Sequence, residues 1–94
     1  MLQSKHSEIV KLLDRSFELF NGHINNGGKL DYSEKEYGYL SDEIEDVQVG
    51  YLKDEDVDGS YADRLREEGF KMTEDDAYNT LKHRIESIED ELQG

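Results

Sequence analysis

The chain reads as mainly α: a small helical bundle of three to four helices in one domain, residues 1–94. Three observations carry that reading. Apolar residues recur at three- and four-residue spacing over four separate stretches. Two of those stretches open on a capping signature, Ser33-Glu34-Lys35-Glu36 and Thr73-Glu74-Asp75-Asp76. Neither proline nor an internal repeat nor a low-complexity tract interrupts them. The alternative is an α+β fold, because residues 23–32 and 47–52 each admit a strand. Ninety-four residues supply one core and leave no room for a second domain.

The first helix starts from Ser4 or Ser7 as cap. It places Ile9, Leu12, Leu13, Phe17 and Phe20 on one face, and Asn21-Gly22 is expected to stop it. Its charges are mixed in sign, as suits a packing element. In the stretch HINNGGKLDY the run Asn25-Asn26-Gly27-Gly28 tolerates positive φ, and a short β-hairpin or an irregular loop both fit. The second helix follows Ser33, with Tyr37, Leu40, Ile44, Val47 and Tyr51 at spacings of +3, +4, +3 and +4. Gly38 and Gly50 each cost a helix interior about 1 kcal/mol, and VQVGYL alternates like a strand, so the end of this helix is open. A seam this narrow also suits a paired helix, which makes a homodimer through Tyr37, Leu40, Ile44 and Val47 an expectation. After the acidic loop KDEDVDGS, Ser60 caps a short third helix with Tyr61 and Leu65 facing inward, and Gly69 ends it before Phe70. Thr73 caps the last helix. Its first turn, Glu74, Asp75 and Asp76, suits the helix dipole, and Ala77, Leu81, Ile85, Ile88 and Leu92 form its apolar face.

Composition narrows what such a bundle can do. Only 34 % of residues are apolar and the net charge is −13, so the core is thin and self-repulsion is strong. Anything that binds only the folded state would stabilise it. Cysteine is absent, which excludes disulfides, thiolate metal sites and cysteine nucleophiles and fits a reducing cytoplasm. The opening residues MLQSKHSEIVKLLDRSF lack an apolar run and a small-residue cleavage site. No segment approaches the roughly 20 apolar residues of a membrane span. A soluble, cytoplasmic protein is expected. Nucleic acid and anionic lipid would both be repelled, so neither is expected as a direct partner.

The charge is segregated. Residues 36–76 hold fifteen Asp or Glu against Lys53, Arg64, Arg66 and Lys71, so eleven of the thirteen excess negative charges lie there, whereas residues 1–35 carry five of each sign. With Tyr37 and Leu40 on the seam, Glu36, Asp42, Glu43, Glu45 and Asp46 fall away from it, onto the expected solvent face. Residues three or four apart on a helix lie about 5–6 Å from each other, an interval comparable to the spacing of phosphates along a DNA strand. Solubility alone requires net charge but not its segregation. Tyr39, off the seam, is the tyrosine expected to be most exposed, and a ring beside carboxylates suits contact with arginine. The expected partner-binding set is therefore Glu36, Tyr39, Asp42, Glu43, Glu45, Asp46, Asp54, Glu55, Asp56 and Asp58, and the expected partner is a basic protein such as a nuclease.

In composition and design, though in no motif, the chain resembles the DNA-mimic inhibitors that phages and mobile elements make against restriction, CRISPR or repair nucleases. That resemblance implies competition for a nucleic-acid groove. The alternative is an immunity protein or antitoxin directed at one basic nuclease or toxin, resembling the small acidic helical immunity proteins of the colicin DNases, which can bind beside the active site.

Other chemistry finds less support. Asp54, Asp56, Asp58 and Gly59 resemble the opening of an EF-hand loop, but Leu65 stands where the closing bidentate glutamate belongs. No Ca²⁺ or other metal site is expected on that count. His6, His23 and His83 are scattered, and no nucleophile triad or phosphate-cradling loop appears. No enzymatic activity and no cofactor are expected.

Overall fold

The computed structural model describes residues 5–25 and 32–93, with side chains placed for all of these but residues 23–25. Four α-helices follow one another: α1 His6–Asn25, α2 Glu34–Asp46, α3 Ser60–Glu67 and α4 Glu74–Gln93, with a π-helical segment, Val47–Tyr51, continuing directly from α2. Among the described residues there is no strand.

Contacts between the helix ends set their directions. The Lys5 backbone N–H donates to Glu74 Oε1 at 2.6 Å and its Nζ meets Asp75 Oδ1 at 2.7 Å, while Arg15 Nε reaches Glu89 Oε1 at 3.3 Å further along. So α1 and α4 run parallel. Ser33, at the start of α2, is bonded to Glu91 near the end of α4, and the His6 ring nitrogen lies 2.8 Å from the Tyr51 hydroxyl beyond the other end of α2. Hence α2 is antiparallel to both. Ile9, Leu13, Leu40, Ile44, Val47, Leu81, Ile85 and Ile88 form the main core where the three meet. A second, smaller cluster of Val49, Ala62 and Leu65, covered by Val57, Tyr61 and Phe70, seats α3 against the π-helical segment.

Several element ends differ from the sequence expectation. Ser7 lies inside the first turn of α1 and caps nothing; the Lys5 carbonyl accepts from the Ile9 N–H at 2.9 Å. Ser4 lies outside the described residues. The helix passes through Asn21-Gly22 to Asn25, because Leu19 and Phe20 are packed in the core and a single glycine costs only about 1 kcal/mol. Residues 26–31, the remainder of the expected hairpin or loop, lie outside the described residues.

Ser33 does cap α2, its hydroxyl accepting from the Glu36 N–H at 3.2 Å. The reciprocal half of the capping box is different: Glu91 of α4, not Glu36, accepts from the Ser33 N–H at 2.8 Å. At the far end VQVGY is a π-helical turn, closed by the Leu52 N–H on the Val47 carbonyl at 2.9 Å and followed by Lys53 at φ 56°. Gly50 is required here. The segment leading out of α3 crosses it so closely that a Cβ would stand 2.5 Å from Phe70 Cε2, and the Met72 N–H donates to the Gly50 carbonyl at 3.1 Å.

Gly59, not Ser60, occupies the cap position of α3, without a side-chain bond. Gly69 ends that helix as expected: at φ 69° it lets the Phe70 N–H reach the Leu65 carbonyl and its own N–H reach Arg66, a Schellman closure. Thr73 caps α4 through the Asp76 N–H at 3.1 Å. The seam proposed for a homodimer is spent inside the chain, since Leu40, Ile44 and Val47 are buried in the main core and Tyr37 stacks on Phe20 with centroids 5.0 Å apart.

Candidate partner interface

The acidic row of α2 divides into two sets. Glu36 and Glu43 are two helical turns apart on one side of α2, and α4 runs along that side with Arg84 between them. Its Nη1 donates to Glu36 at 2.7 Å, and its Nε and Nη2 form a bidentate pair with Glu43 at 3.0 and 3.1 Å. The Ser87 hydroxyl adds a bond to the other Glu36 oxygen at 3.0 Å, and the Tyr39 ring covers the guanidinium with its centroid 4.6 Å away. The side chains of Arg84, Glu36 and Glu43 are only 14, 14 and 19 % exposed. These two glutamates therefore do not line the solvent face as the heptad assignment expected. They staple α2 to α4. Burial pushes the Glu36 carboxyl up, but the bonds from Arg84 and Ser87 outweigh it and hold the group below the usual carboxylate range. Glu43 and then Glu36 raise Arg84, which stays charged.

Asp46 is also engaged, accepting the Tyr61 hydroxyl at 2.6 Å and so joining α2 to α3. Burial first, then the donated bond to Asp46, raises the Tyr61 phenol. Asp46 itself is raised, because burial and the nearby Asp42 outweigh that bond.

Asp42 and Glu45 remain. Asp42 is exposed. Glu45 is partly buried, and among the described residues its carboxylate has neither a hydrogen bond nor an ion pair; burial, then Asp42 and Asp46, hold its pKa up. It lines a groove of about 150 Å³ between α1 and α2. Phe17 and Phe20 form one wall, and Ser41, Ile44, Glu45 and Gln48 form the other.

The acidic loop between Lys53 and Gly59 is built differently. The Asp56 N–H donates to Asp54 Oδ1 at 2.9 Å, which closes a local turn. Arg66 then reaches back from α3 to the carbonyls of Asp54 and Val57, at 2.9 and 2.6 Å, and lies 3.4 Å from Asp63. One guanidinium thus fixes the loop backbone, leaving Glu55, Asp56 and Asp58 exposed and Asp54 partly so. No group of three or more His, Asp or Glu among the described residues is placed to hold a metal ion. Tyr39 is exposed, at 42 %.

The remaining ion pairs lie along α1 and α4. Lys5–Asp75, Lys11–Glu8 and the pairing of Arg15 with Glu18 and Glu89 hold cations among anions along α1 and α4. From Asp42 to Glu68 the only bases are Lys53, Arg64 and Arg66. Arg66 is committed to the loop, and Arg64 lies over the Tyr61 ring with its guanidinium carbon 5.8 Å from the centroid. Among the described residues the carboxylates without an ion pair thus include Asp42, Glu45 and the loop acids, and also Asp14 on α1 and Asp76, Glu86 and Asp90 on α4. Sequence reasoning missed Arg84 and Ser87, which lie outside the acidic block. It also missed the groove, for which nothing in a single helix's pattern gives a signal. No helix among the described residues is long and apolar enough to cross a membrane. Comparison with protein-family models, characterised proteins and solved structures finds no match to this chain.

Proposed function

We propose that this chain is a non-enzymatic cytoplasmic inhibitor that presents carboxylates to the basic nucleic-acid-binding groove of a nuclease or related enzyme, in the manner of a DNA mimic. The observation behind this reading is the cluster of open carboxylates within the acidic stretch of residues 36–76. Among the described residues Asp42 and Glu45 on α2 and Glu55, Asp56 and Asp58 on the loop have no ion pair, whereas on α1 and α4 Glu8, Glu18, Asp75 and Glu89 are paired and Asp14, Asp76, Glu86 and Asp90 are open. Such a surface attracts a basic groove over long range and raises the association rate, and its pull is screened within about 8 Å at physiological ionic strength. Solubility alone accounts for the amount of charge and not for its concentration in residues 36–76.

The test starts from a partner captured with the tagged protein from its native host. A short DNA or RNA duplex in excess should then displace that partner, and binding should weaken steeply as salt rises. Replacing Asp42, Glu55, Asp56 and Asp58 together with Lys should abolish inhibition while helicity, read by circular dichroism, stays unchanged. A ternary complex of chain, partner and duplex would refute groove mimicry and establish exosite binding of the immunity-protein kind. Unchanged affinity in the charge-reversed protein would reduce the acidic surface to a solubility device.

A further inference from the structure

We infer that the groove between α1 and α2 is a socket for one arginine side chain of the basic partner. This rests on the acidic surface being the partner-binding face and adds what that face grips. Ser41 and Glu45 on α2 and Gln48 on the π-helical segment that continues it recur at four and three residues, so they line one side of the groove, and Phe17 and Phe20, three apart on α1, line the other. Among the described residues the three polar side chains make no hydrogen bond to one another or to any other group. They are acceptors and donors left open at a concave site. The aromatic wall is held in place from behind, where Tyr37 stacks on Phe20 with planes 11° apart.

Size and chemistry select the occupant. A volume of about 150 Å³ is below the roughly 300–1,000 Å³ of small-molecule pockets, so the groove suits one long side chain. The unpaired, partly buried Glu45 carboxylate, with Asp42 and Asp46 beside it, calls for a cation. A guanidinium fits better than an ammonium. It is planar and stacks on aromatic faces, it forks to a carboxylate, and it is the more weakly hydrated of the two. Its methylene stem covers Ile44 and the phenyl rings while its head meets Glu45.

The experiment uses the full chain with fluorescently labelled oligo-arginine and oligo-lysine peptides of equal length and charge, titrated at low salt and followed by anisotropy. Two variants are compared, Glu45→Gln and the loop pair Asp56→Asn with Asp58→Asn, each checked for helicity. The wild-type protein should bind oligo-arginine at least about threefold more tightly than oligo-lysine, reflecting the stacking and forked contact that only a guanidinium makes. Glu45→Gln should erase that preference, and the loop pair should weaken both peptides by the same factor. Equal binding of the two peptides by the wild type, or a preference that survives Glu45→Gln, would overturn the socket while leaving the acidic face in place. If the loop pair leaves both affinities unaltered, the acidic-face reading fails instead.

Discussion

The acids of α2 and those of the 53–59 loop are the same residue types at similar density, yet they are put to opposite use. On α2, Glu36, Glu43 and Asp46 are anchored by side chains from other helices, Arg84, Ser87 and Tyr61. In the loop the single anchoring cation, Arg66, takes backbone carbonyls, so the carboxylates of Glu55, Asp56 and Asp58 stay in water. A carboxylate within reach of a donor on a neighbouring helix is drawn into structure. One on a loop whose backbone is already satisfied remains free to act on a partner. Acidic density alone does not separate the two cases; whether a donor side chain from another helix reaches the carboxylate does.

The largest expected effect tests the anchored half. Arg84→Met leaves two mostly buried carboxylates facing each other without a counter-charge, and loss of one partner of such a network costs about 3–5 kcal/mol. Urea unfolding should show that loss, and adding Glu36→Gln and Glu43→Gln should recover part of it. A loss under about 1 kcal/mol, the range of exposed pairs, would place the α2 acids in the same class as the loop acids.

A smaller effect distinguishes acids within α2 itself. Glu45 and Asp46 bind protons more tightly folded than unfolded, so stability should rise as the pH is lowered from 7 toward about 5. Glu36 binds its proton less tightly folded. Its contribution is complete above the ordinary carboxylate pKa of 4.5 and is lost as the pH falls through its lower folded value. The melting temperature should therefore pass through a maximum in mild acid, and Glu45→Gln should flatten the rise on the alkaline side of that maximum. A melting temperature that falls steadily from neutral pH would contradict these assignments.

The smallest effect belongs to the loop. Asp56→Asn with Asp58→Asn should change stability by no more than about 0.5 kcal/mol, as at surface positions without structural partners, while weakening any basic partner. A larger loss on unfolding would show that the loop carboxylates support the fold after all.

Much of the fold was legible from local signals. The four helices, the caps at Ser33 and Thr73, the Gly69 stop and the exposure of Tyr39 each depend on a few neighbouring residues. What could not be read depends on contacts between distant segments. The heptad pattern tells which side of α2 faces away from its own seam, but not that α4 covers part of that side. Glu36 and Arg84, 48 residues apart, could thus not be paired in advance. The π-helical turn has the same origin. Gly50 looks like a weak point in a helix until Phe70 and Met72 are seen to pass over it. Of the expected partner-binding residues, Glu55, Asp56 and Asp58 kept their solvent exposure because the neighbouring Arg66 of α3 bonds the loop's backbone carbonyls and not these carboxylates.

The parallel arrangement of α1 and α4 also has a consequence in time. As the chain leaves the ribosome, α1 and α2 are complete before any of α4 exists, so the hairpin they form carries an open apolar flank formed by Ile9, Leu13, Leu40 and Ile44. Lys5 must wait for Glu74 and Asp75, sixty-nine and seventy residues behind it, before its end of the bundle can be locked. The main core therefore cannot close until α4, which follows the other three helices in chain order, is present. The heavy negative charge of the intervening segment then acts as a solubiliser of the unfinished chain, repelling other nascent copies until α4 closes the core.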